Sequence, residues 1–118
     1  MAKNLKNYTT TVPVERTVSQ IESLLVSIGA THIEKEFQGG NIASLIFTIP
    51  HENASVKVKL PARYQEALLV IRKIPEYKNK KQDWLINQTM KVAWRILLNW
   101  IEVEVAMLQI RNSNLLQV

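Results

Sequence analysis

The chain has 118 residues, a net charge of +5, 47% hydrophobic and 21% charged residues, and no cysteine. That length fits one domain, 1–118, able to bury a core without staples. The missing cysteines exclude disulfides, thiolate metal sites and thiol nucleophiles.

Residues 1–60 carry six Lys/Arg against five Glu, residues 61–81 six against two, and residues 82–118 three against three acidic groups. The excess charge therefore lies between Arg63 and Lys81. Such a cluster attracts phosphates or keeps a loop solvated. Met1 to Asn7 is polar and basic with no apolar stretch behind it, which predicts a cytoplasmic protein.

Tyr8-Thr9-Thr10-Thr11-Val12 is β-branched and aromatic and predicts a first strand, ended by Pro13. Val18, Ile21, Leu24, Leu25 and Ile28 recur at spacings of three and four, predicting a helix over about 15–28. Thr17 and Gln20 suit a capping box at its start, and Gly29 suits the position just past its end. Residues 31–37 read as a strand with Ile33 and Phe37 inward, and Gly39-Gly40-Asn41 as a turn. A more buried strand over 42–49, a turn over 50–54 and a strand over 55–60 follow. In the last, Val56, Val58 and Leu60 alternate inward against Lys57 and Lys59. Short turns between these strands predict an antiparallel meander.

Pro61 opens a helical segment over about 62–74, which Pro75 stops. A basic loop over 76–81 precedes a last helix from about Gln82 to Arg111. Unbroken, it measures roughly 45 Å, longer than a domain this small is wide, so part of it projects, bends or packs on a neighbour. Gln88, Lys91, Arg95, Asn99, Glu102 and Gln109 form a narrow polar stripe, and apolar residues cover most of the rest. Its internal charges argue against a membrane span. The predicted fold is α+β with order β-α-β-β-β-α-α, helices on one face of a mostly antiparallel sheet and a long C-terminal helix.

Catalytic constellations are sparse, and we expect no enzyme, cofactor or bound metal. The two histidines and one aspartate include Asp83, placed to cap a helix, and His51, in an exposed turn. Gly39-Gly40 lacks the strand-to-helix setting of a phosphate loop. His32, Glu34 and Glu36 alternate on one strand face, a set able to hold a divalent metal. The competing reading sets Glu34 and Glu36 across the sheet from Lys57 and Lys59. Arg63, Tyr64, Arg72, Lys73, Tyr77, Lys78, Lys80, Lys81 and Trp84 interleave cations with rings, as contacts to nucleic acid or a nucleotide require. On the last helix, Trp94, Leu97, Trp100, Ile101, Val105 and Leu108 are candidates for a homo-oligomer interface, most simply a dimer. Arg95 and Glu102, seven apart, bridge through Asn99 or pair between subunits.

Three stretches carry a resemblance: Asn7-Tyr8-Thr9-Thr10-Thr11-Val12, Lys59-Leu60-Pro61-Ala62, and Val92-Ala93-Trp94-Arg95 followed by Trp100-Ile101-Glu102. In these the chain resembles a family of small uncharacterised phage and prophage proteins. The resemblance implies a mobile-element source, the host cytoplasm and an accessory role, with no established activity. It also implies a further segment beyond the long helix, where this sequence has only Asn114-Leu115-Leu116-Gln117-Val118. Two functions are expected: a non-enzymatic accessory protein binding nucleic acid or a nucleotide through residues 63–84, or an inhibitor or adaptor that binds a host protein, such as a defence component.

Overall fold

The computed structural model describes the backbone of residues 5–116 and the side chains of 5–50 and 52–111. Its elements are α1 (Val14–Ser27), β1 (His32–Gln38), β2 (Asn41–His51), β3 (Ala54–Pro61), α2 (Tyr64–Ile71), a 3₁₀ turn (Pro75–Tyr77) and α3 (Gln82–Leu116). The chain is thus α+β, with a three-stranded antiparallel sheet in the order β1-β2-β3 and a long C-terminal helix.

The expected first strand over 8–12 is absent. The segment pairs with no strand of the sheet, and side chains of α3 and the 3₁₀ turn satisfy its carbonyls instead. The Gln88 amide donates to the carbonyls of Tyr8 and Thr10, both at 2.9 Å, and the Tyr77 hydroxyl donates to Tyr8 O at 2.7 Å. Asn7, in the left-handed region at φ 65°, donates to Asn99 Oδ1 at 2.6 Å. Gln88, expected on a polar surface stripe, is therefore a buried clamp.

The expected capping box is also absent, because α1 starts earlier, behind an extended Pro13 whose ring sets φ at −61°. Thr17 then falls inside the helix, buried, with its hydroxyl unpartnered. At the other end, Gly29 takes φ +100°. Its N–H donates to Val26 O, and Ala30 N–H donates to Leu25 O. This is the paired-bond stop that a glycine permits and a side chain strains.

Gly39 and Gly40, at φ 60° and 83°, close β1 onto β2 in a two-residue turn of the kind that matches strand twist. The register shifts by one between Glu36 and Phe37, a bulge that sets Glu36 opposite Ser44 but Phe37 opposite Ile42. Phe37, expected inward, is 62% exposed. It lies on the edge strand beside an open hollow with Val14, Ile42 and Met90. Val56, also expected inward, is exposed near the opposite end of the sheet. His51 ends β2, and its side chain lies outside the described residues.

The main core joins α1, the inner face of the sheet and α3 through Val18, Ile21, Leu25, Leu45, Phe47, Leu60, Trp94, Leu98, Ile101 and Val105. A second, smaller core joins Ile71, Ile74, Tyr77, Leu85 and Val92, with Leu5, Tyr8, Leu68 and Ile96 packed on it. It ties the N-terminal segment and α2 to the first half of α3. The helix expected over 62–74 is shortened to eight residues, since Ala62 donates its N–H to Ala43 O at the bulge and so continues the sheet. Across its 35 residues α3 is unbroken, about 52 Å at 1.5 Å per residue, in a molecule 56 Å long. Val105 is its last buried position among the described side chains; Ala106 to Arg111 are exposed on every side. No helix among the described residues is long and apolar enough to cross a membrane.

Candidate interaction surfaces

The outer sheet face carries the His32, Glu34 and Glu36 row. His32 Nε2 lies 2.9 Å from Glu34 Oε1, and Lys59 Nζ lies 3.0 Å from Glu36 Oε1. The expected facing of acidic and basic rows is thus only half realised. β2 lies between β1 and β3, the Lys59 bridge spans it, and Glu34 turns to His32 instead of Lys57. The Ser44 hydroxyl donates to Glu36 at 2.6 Å. That bond, then the bond and charge of Lys59, hold the Glu36 carboxyl below the ordinary glutamate range. Among the described residues no three His, Asp or Glu side chains converge as a metal site would need.

The basic segment occupies the end of the molecule where α2 passes through the 3₁₀ turn into α3. Arg72, Lys73, Lys78, Lys80 and Lys81 are all exposed, and none has a carboxylate within 4.0 Å among the described residues. Arg63 stands apart at the start of α2, 3.8 Å from Glu66. The rings are less available than the cations. Tyr77 is buried, its hydroxyl is committed to Tyr8 O, and burial raises its pKa. Trp84 meets the Tyr77 ring edge-on at 4.8 Å and carries Lys80 over its face at 4.8 Å. Tyr64 is half-buried. The N-terminal segment brings Lys6, exposed and two residues from Tyr8, to the same end. Its sequence position gave no sign of that.

The apolar residues of α3 divide by face. Trp94 is 1% exposed, with its indole N–H donating to Ile42 O at 3.3 Å, and Ile101 and Val105 are buried in the same core. These three serve the chain's own core, not an outer surface. Leu97 is half-buried, and Trp100 and Leu108 are exposed. Arg95 donates to Gln20 of α1 at 2.7 Å, and Glu102 accepts from Asn99 at 3.1 Å, so Arg95 and Glu102 have separate partners.

Trp100 opens onto a groove of about 510 Å³ between α2 and α3. Its lining brings together Leu5, Pro61, Ala67, Val70, Ile96 and Trp100, from segments far apart in sequence. Among the described residues that line it, the only charged ones are Arg63 and Glu66, at the start of α2. Sequence periodicity marked Trp100 and Leu97 as apolar, but a groove assembled from separate segments has no sequence signature.

Comparison with protein-family models, with curated proteins and with solved structures finds no match to this chain.

Proposed function

We propose that the chain is a non-enzymatic phage accessory protein that docks a host protein, as an inhibitor or adaptor, through the groove between α2 and α3. The observation that carries this reading is the groove itself. It is an open, nearly all-apolar trough with an aromatic ring at its mouth and one charge pair at its side. A half-exposed tryptophan in an apolar recess is the kind of anchor that dominates protein contacts. The dimensions suit an apolar edge of a partner helix, held by i, i+3 and i+4 side chains. The phage setting rests on the three sequence stretches described above.

A second reading draws on the five exposed cations of residues 72–81, which favour contact with a phosphate backbone. It ranks behind the first because Tyr77 and Trp84 are engaged within the chain. Capture from host lysate separates the two. We expect a protein retained by the wild type, still retained after nuclease treatment and by Lys80→Glu, and lost with Val70→Arg, which places a charge on the groove wall. Loss on nuclease treatment and with Lys80→Glu, but not with Val70→Arg, would transfer the function to nucleic acid.

A further inference from the structure

Two apolar stripes run along α3. Trp94, Leu98, Ile101 and Val105 form one, and it is buried in the main core. Ala93, Ile96, Trp100, Val103, Met107 and Ile110 form the other, at spacings of three, four, three, four and three. At 100° per residue its centre lies roughly 150° around the helix from the first. This is the spacing along which two helices pack side by side. The second stripe begins on the groove floor and is covered there. From Trp100 outward it is bare: Trp100, Val103, Met107 and Ile110 are each more than half exposed, at 53, 59, 56 and 58%. A helix end apolar on this side and free of its own core lacks the burial that such a face requires.

The charges beside the stripe say what covers it. Glu104 and Arg111 each follow a stripe residue by one position, so they lie on the same flank, one heptad apart. Within one helix they stand about 10 Å apart, too far to pair. A second copy running antiparallel brings Glu104 of each copy to the partner's Arg111, twice by symmetry. The body of the protein favours the same direction. Leu5 and α2 wall the stripe at its inner end. A parallel pairing would drive two such walls together, whereas an antiparallel one puts the bodies at opposite ends.

We propose that the bare half of α3 is a self-complementary surface that pairs antiparallel with the same half of a second copy, centred near Met107 and flanked by two Glu104–Arg111 pairs. The pairing spans Val103 to Arg111 and leaves Trp100 and the α2 wall of the groove to a different partner. Sedimentation equilibrium of the full chain tests it. At about 100 µM, which detects any dissociation constant up to that order, we expect twice the 13.6 kDa chain mass. Met107→Glu, outside both cores, should weaken association at least about 100-fold with an unchanged circular dichroism spectrum. Glu104→Arg and Arg111→Glu should each weaken it about five- to tenfold, and the double variant should return to within about twofold of wild type. A wild-type mass of 13.6 kDa at that concentration would overturn the dimer. A charge-swapped double weaker than either single would overturn its orientation. Val70→Arg should leave the dimer mass intact while losing the groove partner, so the dimer and the host-protein reading can fail separately.

Discussion

The two halves of α3 are made of similar residues and meet different fates. From Leu85 to Asn99 the helix is enclosed between two cores, with α1 and the sheet on one side and α2 with the N-terminal segment on the other. From Trp100 to Arg111 it keeps two buried positions, Ile101 and Val105. Trp94 and Trp100 make the contrast concrete: 1% against 53% exposed, six residues apart on one helix. Residue type supplies the apolar area, but the reach of the rest of the chain decides which of it is buried.

The sharpest way to break the contrast is to truncate both tryptophans. Trp94→Ala removes a fully buried ring and should cost about 3–5 kcal/mol in denaturant unfolding. Trp100→Ala, measured in dilute solution where copies are apart, should cost less than about 1 kcal/mol. Equal costs would mean that the halves do not differ as described.

Next in size is the clamp that holds the N-terminal segment to the enclosed half. Gln88→Ala leaves the carbonyls of Tyr8 and Thr10 without the amide that now bonds both. A loss of about 1–3 kcal/mol is expected. Faster proteolysis confined to the first dozen residues should accompany it.

A smaller effect of opposite sign is expected at Thr17, whose buried hydroxyl lacks a partner. Thr17→Val keeps the shape and removes the orphaned group, so melting should shift upward by the equivalent of about 1 kcal/mol. No shift, or a drop, would mean that the hydroxyl is satisfied in solution.

The smallest effect lies on the exposed sheet face. Because Ser44 and Lys59 lower the folded-state pKa of Glu36, its contribution is present above the ordinary glutamate value and is lost as pH falls through the lowered one. Wild type should therefore show a slight loss of stability on acidification below about pH 4 that Glu36→Gln lacks. Superimposable profiles would contradict this.

Much of the architecture could be read from the sequence, because local chemistry decides it. Gly29 marks a helix stop since it alone adopts φ +100° without strain, and Gly39-Gly40 marks a hairpin for the same reason. Short turns between the three strands left a meander as the most economical arrangement. What escaped depends on distant residues. Tyr8 to Val12 has strand-forming side chains, yet its backbone partner is an amide 78 to 80 positions away. Phe37 and Val56 have the right parity for the inner face but no helix packs closely enough to bury them. Periodicity gives the face, not the extent of the cover. Trp94 and Trp100 were legible as pointing different ways, though which one entered the core was not. The groove depends on Leu5, Val70 and Ile96 arriving together, and nothing local announces it. The basic segment was visible as charge, while the engagement of Tyr77 and Trp84 appears only in three dimensions.

The contrast between the halves is tested most directly by amide hydrogen exchange along α3 at two protein concentrations. Amides from Leu85 to Leu98 should be strongly protected at both, since both cores enclose them. Amides from Val103 to Arg111 should exchange rapidly in dilute solution and slowly at about 100 µM, where a second copy covers them. Protection of Val103 to Arg111 that does not change with concentration, whether high or low, would contradict the account.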